Sequence, residues 1–272
     1  MARTPQDLKI QPREIAFGRQ ANYDRWWMGG DPGATAFHNA LSVTFPLGER
    51  FFMDSVRHYR DRTTEPLTSQ IAAFLTQEAM HSREHVFFNK QVTERGYDIS
   101  MMERRIEWRI RLARSMPHAI QLAATVALEH FTAILAHTAL SNPHLVEGGD
   151  PEAVRMWRWH AMEEIEHKAV AYDTYMTAVR GGPIGRWLLR NVVMVLLTLF
   201  FTYNITRNVI DFFAQDRLNN LPTWGRLFRY LWGPRGFLSS SIGAYFAFYL
   251  PGFHPWQVDD RALIAGMQAE YA

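Results

Sequence analysis

The chain has 272 residues, with 29 Lys and Arg against 27 Asp and Glu, a formal net charge of +2 at pH 7, and no cysteine. Near-neutral charge provides no general attraction to nucleic acid. The absence of cysteine excludes disulfides, thiolate metal sites and cysteine nucleophiles. Any metal must therefore be held by His, Asp and Glu, ligands that suit iron, manganese or zinc. The length is sufficient for a large core in one elaborated domain or two. The first nineteen positions are polar and charged without the apolar run of a secretory signal, so a cytoplasmic protein is expected.

In chain order, residues 1–33 read as an N-terminal arm with prolines at 5 and 12, an aromatic anchor at Tyr23 to Trp27 and the breaker Gly29-Gly-Asp-Pro-Gly33. A short helix is expected over 34–44. Pro46 can open the next helix, to about residue 62, because a first-turn proline loses no hydrogen bond. Pro66 opens another, with Ile71, Phe74, Glu78, His81, His85 and Phe88 on one face and Gly96 as its stop. Ser100 with Glu103 reads as a capping box for a basic amphipathic helix to about 115. A nearly all-apolar helix follows over 117–140, interrupted chiefly by Gln121, Glu129 and histidines. Asp150-Pro151-Glu152 supplies an N-cap, a proline at the first helical position and a dipole-matched acid for a helix over 150–180. No alternating strand-length run intervenes, so the chain is expected to be all-α.

Beyond Pro183 the composition changes. The run Val192-Val-Met-Val-Leu-Leu-Thr-Leu-Phe-Phe201 is strongly apolar but, flanked by Arg190, Asn191 and Asn204, short of the about 20 residues of a bilayer span. Cations then alternate with aromatics between Trp224 and Phe237, which suits a membrane interface. The alternative is a buried core helix followed by segments that cover the rest of the fold. Pro251-Gly-Phe-His-Pro255 bends the chain before a last helix over 259–270. The expected division is a 1–33 arm, a 34–182 helical bundle and a 183–272 apolar and aromatic C-terminal part.

The chemistry concentrates in Trp159-His-Ala-Met-Glu-Glu-Ile-Glu-His-Lys168. His160, Glu164 and His167 fall on one helical face at i, i+4 and i+7. A face carrying imidazole, carboxylate and imidazole on an otherwise apolar stripe is costly to bury unless a cation occupies it. The Glu-x-x-His element of that face also occurs at Glu78-Ala-Met-His81. Acidic residues on apolar helix faces then run Glu49, Glu78 with His81, Glu129, Glu164 with His167. Each single glutamate precedes its Glu-x-x-His by roughly thirty residues, which suggests two similar helix hairpins. Four carboxylates in one core would repel each other without cations between them.

This order resembles that of ferritin-like di-iron carboxylate proteins, in which a glutamate from each of two helices and a Glu-x-x-His from each of two others converge inside a four-helix bundle. The resemblance covers roughly 40–180 and implies a ferritin-like four-helix bundle with extra N- and C-terminal helices. Within it, His160-Ala-Met-Glu-Glu164-Ile-Glu-His167 is similar to the last-helix pattern of di-iron arylamine N-oxygenases of the p-aminobenzoate type, whose first histidine adds a seventh ligand. The implied metal set is Glu49, Glu78, His81, Glu129, His160, Glu164 and His167, holding two iron ions, with manganese or zinc as alternatives. The whole chain also resembles the bacterial family described as predicted metal-dependent hydrolases, through Gly48-Glu-Arg-Phe-Phe52, Gln77-Glu-Ala-Met-His-Ser-Arg-Glu-His85, the Trp-His…Glu-His-Lys run and Phe253-His-Pro-Trp256.

Among the neighbours, His85 reads as an outer residue donating to a ligand or as an extra ligand, and Asp173 as a carboxylate orienting a ligand histidine. His130 is expected to pack or to support a ligand. Glu163 and Glu166, off the ligand face, are expected to face solvent or to pair with arginines. Glu84 is the rival of Glu78 but breaks the face shared by 78, 81 and 85. Phe51, Phe52, Trp157 and Trp159 read as core. The function these resemblances imply first is an O2-activating oxygenase or oxidase for a small apolar or aromatic substrate, with the irons as redox centre and an electron donor supplied from outside. A metal-dependent hydrolase and a non-enzymatic iron-binding bundle are the alternatives. Peripheral membrane contact through 183–237 and a homodimer are compatible with the composition, whereas nucleic acid is not an expected partner.

Overall fold

A computed structural model describes residues 3–19 and 22–271. Positions 1, 2, 20 and 21 of the expected arm, and position 272, lie outside the described residues. The described chain is all-helical, and its one β-bridge joins Met28 to Gly149.

Helix α1 (Pro32–Ser42) begins where Asp31 accepts from the backbone N–H of Gly33 and Ala34, with Pro32 in its first turn. It starts two residues earlier than expected because the breaker's own Asp-Pro pair forms the cap. Helix α2 (Phe45–Arg57) stops short of 62, and the remainder is a 3-10 turn over Arg60–Arg62. Helix α3 (Leu67–Glu94) ends at Arg95 before Gly96, whose φ of +86° only glycine adopts readily. Helix α4 (Ser100–Arg114) lacks the expected capping box. Ser100 lies inside the helix and its N–H goes instead to Asp98 Oδ1 at 2.9 Å.

Helix α5 (His118–Ser141) is apolar on nearly every side. Such a helix is at home only in the interior, and it packs against α2 and against α6 (Pro151–His167). Asp150 caps α6 by accepting from the N–H of Glu152 and Ala153. The helix expected to continue to 180 is instead interrupted at Lys168 and Ala169 and resumes as α7 (Val170–Ala178). No Gly or Pro marks that break. Lys168 sends its ammonium to Asp260 and to the Val258 carbonyl, contacts with a distant segment that helix propensity cannot anticipate. Helices α2, α3, α6 and α5 contact one another in a closed ring of four, with α2 against α3 and α5 and with α6 against α5 and α3.

The C-terminal part is α8 (Pro183–Gln215), α9 (Leu221–Trp232), α10 (Phe237–Ala247) and α11 (Arg261–Gln268). Asn220 caps α9 by accepting from Thr223 N–H. Helix α8 is one rod of 33 residues, longer than its apolar run suggests. One face is buried against α5 and α1 through Val193, Met194, Ile205, Val209, Phe212 and Phe213. The opposite face leaves Ile184, Leu188, Val192, Val195, Leu199 and Tyr203 exposed at helical spacing. The buried core helix expected as one alternative is thus realised on one side only. Helices α5 and α8 are each long and apolar enough to cross a membrane, but α5's apolar window is 67% buried and α8's only 28%. One hydrophobic cluster joins the arm (Phe17, Tyr23, Trp27), the ring (Phe88, Trp159) and the C-terminal helices (Phe212, Phe237).

Because Asp150 satisfies two otherwise unbonded amides of α6, Asp150→Ala is expected to lower the unfolding free energy by about 1 kcal/mol, read as a shift of the urea midpoint at unchanged slope.

Candidate metal centre

The ring of helices turns its polar residues inward. On α3 the buried positions Ile71, Phe74, Glu78, His81, His85 and Phe88 alternate by three and four, which keeps them on one face. On α6 the same spacing carries Ala153, Met156, His160, Glu164 and His167. Glu49 projects from α2 beside Phe52, and Glu129 from α5 beside Val126 and Ala133. All seven residues are buried, none with more than 4% of its surface exposed. Three trios could each hold a cation, with donor atoms within 4.8 Å of one another. They are Glu49, His81 and His160; Glu78, His81 and Glu164; and Glu78, Glu129 and His167. Together they contain the seven residues singled out from the sequence and no others.

Hydrogen bonds outside the cluster fix which nitrogen of each histidine faces inward. Asn89 Oδ1 can only accept, so Ser42 Oγ donates to it at 2.7 Å. Ser42 Oγ then accepts from His85 Nδ1 at 2.8 Å, and His85 Nε2 accepts from His160 Nδ1 at 2.6 Å. His160 Nε2 is left with a lone pair, 2.8 Å from Glu164 Oε1. Burial lowers the pKa of both rings, His160 to about 4, which keeps them neutral. His81 donates from Nε2 to Glu163 Oε2 at 3.1 Å, and its Nδ1 lies 3.5 Å from Glu164 Oε1. His167 donates from Nδ1 to Gln77 Oε1 at 2.9 Å. Its Nε2 stands 3.2 Å from Glu78, 3.5 Å from Glu129 and 3.6 Å from Glu164.

Eight buried donor atoms of the cluster have no hydrogen-bond partner: Glu49 Oε1, both oxygens of Glu78 and of Glu129, Glu164 Oε2, His81 Nδ1 and His167 Nε2. Burial, reinforced by the Glu78 charge, pushes the Glu49 and Glu129 carboxyls well above the usual range. Burial also raises Glu78, against the pull of His167. At Glu164 burial acts in the same sense but is overcome chiefly by His167, with His81 adding to it, so its carboxyl is held well below that range. At His81 burial is outweighed by Glu163 and Glu164, and the ring is pushed up to about 10. His167 is likewise raised, by Glu164, Glu78 and Glu129. Buried lone pairs that face each other need positive charge between them, and each ionised group left without it costs several kcal/mol. Oxygen and imidazole donors of this kind fit hard or borderline divalent cations. The residues present therefore fit a metal.

The surrounding shell departs from expectation in two places. Glu163 and Glu166 do not face solvent: both are fully buried. Arg13 of the arm pairs with Glu163 at 3.3 Å and with Glu166 at 2.7 Å. Glu166 Oε2 also accepts from Gln77 Nε2 at 2.8 Å, so the arm is coupled to His81 through Glu163 and to His167 through Gln77. The pairing with an arginine was expected; the burial was not, because nothing in α6 itself shows that the arm covers that face. Asp173 orients none of the clustered histidines. It lies beyond the break between α6 and α7, where it accepts from Thr4 Oγ1 at 2.7 Å and from His254 Nε2 at 3.1 Å. Of the two roles considered for His85, the geometry matches the outer position, but His85 Nε2 accepts from His160 Nδ1 rather than donating to it. Glu84 binds Phe17 N–H, Arg19 and Arg83 and lies outside the trios. His130 bonds the Ala244 carbonyl and packs on Phe248 and Phe253. Gln77, Ser42, Ser82 and Asn89 carry no sequence signal of their own, although Gln77 and Ser82 adjoin Glu78 and His81.

Residues 11–259 match the model of the family described as predicted metal-dependent hydrolase. The chain belongs to this family. No curated protein and no solved structure matches it. The matched span of this predicted metal-dependent hydrolase begins in the arm before Arg13 and runs through α10, so it includes the seven clustered residues and the arginine behind them.

Two outcomes follow from the charge balance. Arg13→Met leaves two buried carboxylates unpaired and is expected to lower the unfolding free energy by about 3–5 kcal/mol, measured by urea titration. Divalent metal added to chelator-stripped protein is expected to raise Tm, and by more at pH 8 than at pH 6, because protons compete for the same carboxylate and imidazole lone pairs. Equal shifts at the two pH values would count against ligation by these groups.

Proposed function

We propose that the protein is a metal-dependent hydrolase built on a ferritin-like four-helix bundle formed by α2, α3, α5 and α6, binding two divalent cations. The observation that carries this reading is the division of the trios: Glu49, His81 and His160 share no residue with Glu78, Glu129 and His167. Glu164 stands between the two, with Oε1 toward His160 and His81 and Oε2 toward His167. Zinc, manganese or iron(II) would be held by these seven side chains and would supply Lewis acidity and a water of lowered pKa. In hydrolysis the oxygen of water joins the substrate acyl carbon and the bond to the leaving group breaks; one proton of water goes to the leaving group and the other leaves with the acid. Glu164, its carboxyl held well below the usual range by its histidines, borders with His160 a large cavity that reaches the cluster. His85 and Gln77 hold the His160 and His167 rings, and Glu163 holds His81.

A second reading is an O2-dependent oxygenase or oxidase using two irons. It is favoured by the donor order, Glu, Glu-x-x-His, Glu, Glu-x-x-His with His160 in addition, as in the di-iron carboxylate proteins. The two readings separate in one experiment. As a hydrolase, the zinc- or manganese-loaded protein cleaves carboxylic esters without oxygen, and Glu164→Ala loses both activity and part of the bound metal. Oxygen uptake by the Fe(II) protein, with no ester cleaved under any metal, would instead establish the second. Removing the support behind a ligand, as in His85→Leu, is expected to cost about 10–100-fold in metal affinity or activity, measured by competition with a metal indicator.

Contact with a membrane surface through residues 183–237 is part of the same proposal. It is supported by the apolar face of α8 that no described residue covers. A liposome pelleting assay that leaves all the protein in the supernatant would remove it.

A further inference from the structure

The cluster opens to one side into a cavity of about 910 Å³. At its inner end stand His160 and Glu164, the two members of the cluster that line it. Its walls include Phe45 and Phe52 of α2, Ala124 and Leu128 of α5, and Val193 and Leu197 of α8. At its outer end it is lined by α4 and α8 residues that are themselves exposed, among them Trp108 at 62%, Leu199 at 65%, Leu112 and Phe200. A volume near the upper end of the about 300–1,000 Å³ of ligand pockets is far more than a short acyl group needs. Apolar walls of this extent left to water are unfavourable, so an apolar ligand is the occupant they select. Besides His160 and Glu164, the charged or basic residues on its lining are His38, Arg109 and Arg158, and nearly all the rest is apolar, a lining that suits a ligand with one reactive polar group on a long apolar body.

We propose that this cavity binds the alkyl chain of a long-chain lipophilic substrate, which enters tail last between α4 and α8 and presents its polar reacting group to His160 and Glu164. The proposal rests on the metal centre described above for the chemistry, but the chain-binding site does not depend on it. Exposed Leu112 and Leu199 at the mouth continue into the uncovered apolar face of α8, so the ligand passes from an apolar phase to an apolar channel.

The test uses the full chain and a fluorescent polyene fatty acid, cis-parinaric acid, titrated into both metal-stripped and metal-loaded protein. One probe per chain is expected to bind in either state, displaced by palmitate but not by butyrate. Across the saturated acids between them, affinity should rise by up to about fourfold per methylene, the equivalent of about 0.8 kcal/mol. Ala124→Phe, which adds a ring to the channel wall, should weaken the probe at least tenfold. Should that variant fold poorly, the double change Leu112→Asp with Leu199→Asp alters only exposed mouth positions and should weaken it as well. Equal displacement by butyrate and palmitate, or wild-type affinity in both the channel and the mouth variants, would overturn the proposal. Chain binding with no hydrolysis of any ester would leave this site standing and remove the hydrolase reading. Cleavage of short soluble esters with no chain binding would do the reverse.

Discussion

Seven ionisable side chains share one dry volume between four helices, and their arrangement requires positive charge. Four carboxylates so enclosed cannot all be ionised beside neutral rings without a counter-charge. The histidines supply it in part: His81 and His167 are driven toward their charged forms, and Glu164 is held ionised among them. The pair His85 and His160 supplies none, because burial lowers the pKa of both rings. A bound cation would complete the balance where protons do so incompletely.

The same constraint accounts for the N-terminal arm. A backbone segment with little regular structure lies over α3 and α6, and its value is electrostatic as much as hydrophobic. Arg13 neutralises Glu163 and Glu166, and the backbone amides of Gln11 and Arg13 donate to the same two carboxylates. Those carboxylates, directly and through Gln77, orient the rings of His81 and His167. Buried ion pairs seldom add much net stability, but here they set the direction of two ring nitrogens. The family span beginning at residue 11 includes this layer.

The C-terminal helices serve a different end. They cover α5 and α1 with one side of α8, close the cavity wall above Ala124 and Leu128, and leave the other side of α8 bare. That bare side is an exposed apolar stripe, and the proposed membrane contact rests on it. Its continuity with the cavity mouth joins that surface to the cluster.

The sequence alone determined the all-helical class and the two faces that carry Glu78 with His81 and His160 with Glu164 and His167, because both are local, whereas Glu49 and Glu129 entered the metal set through the resemblance to di-iron carboxylate proteins. Hydrophobic period, caps and breakers act within a few residues, and the spacings 78–81 and 160–164–167 place donors on one face of a helix whatever its neighbours. Tertiary structure alone decided what lies behind the clustered residues and where helices yield to distant contacts. Arg13 meets Glu163 and Glu166 across some 150 positions of chain, so the burial of those glutamates could not be read from α6. Asp173 points to Thr4 and His254 because α6 breaks at Lys168, and that break coincides with an ammonium reaching Asp260. One-sided exposure of α8 likewise depends on which helices happen to cover it. Periodicity specifies a face, but only packing specifies what the face meets.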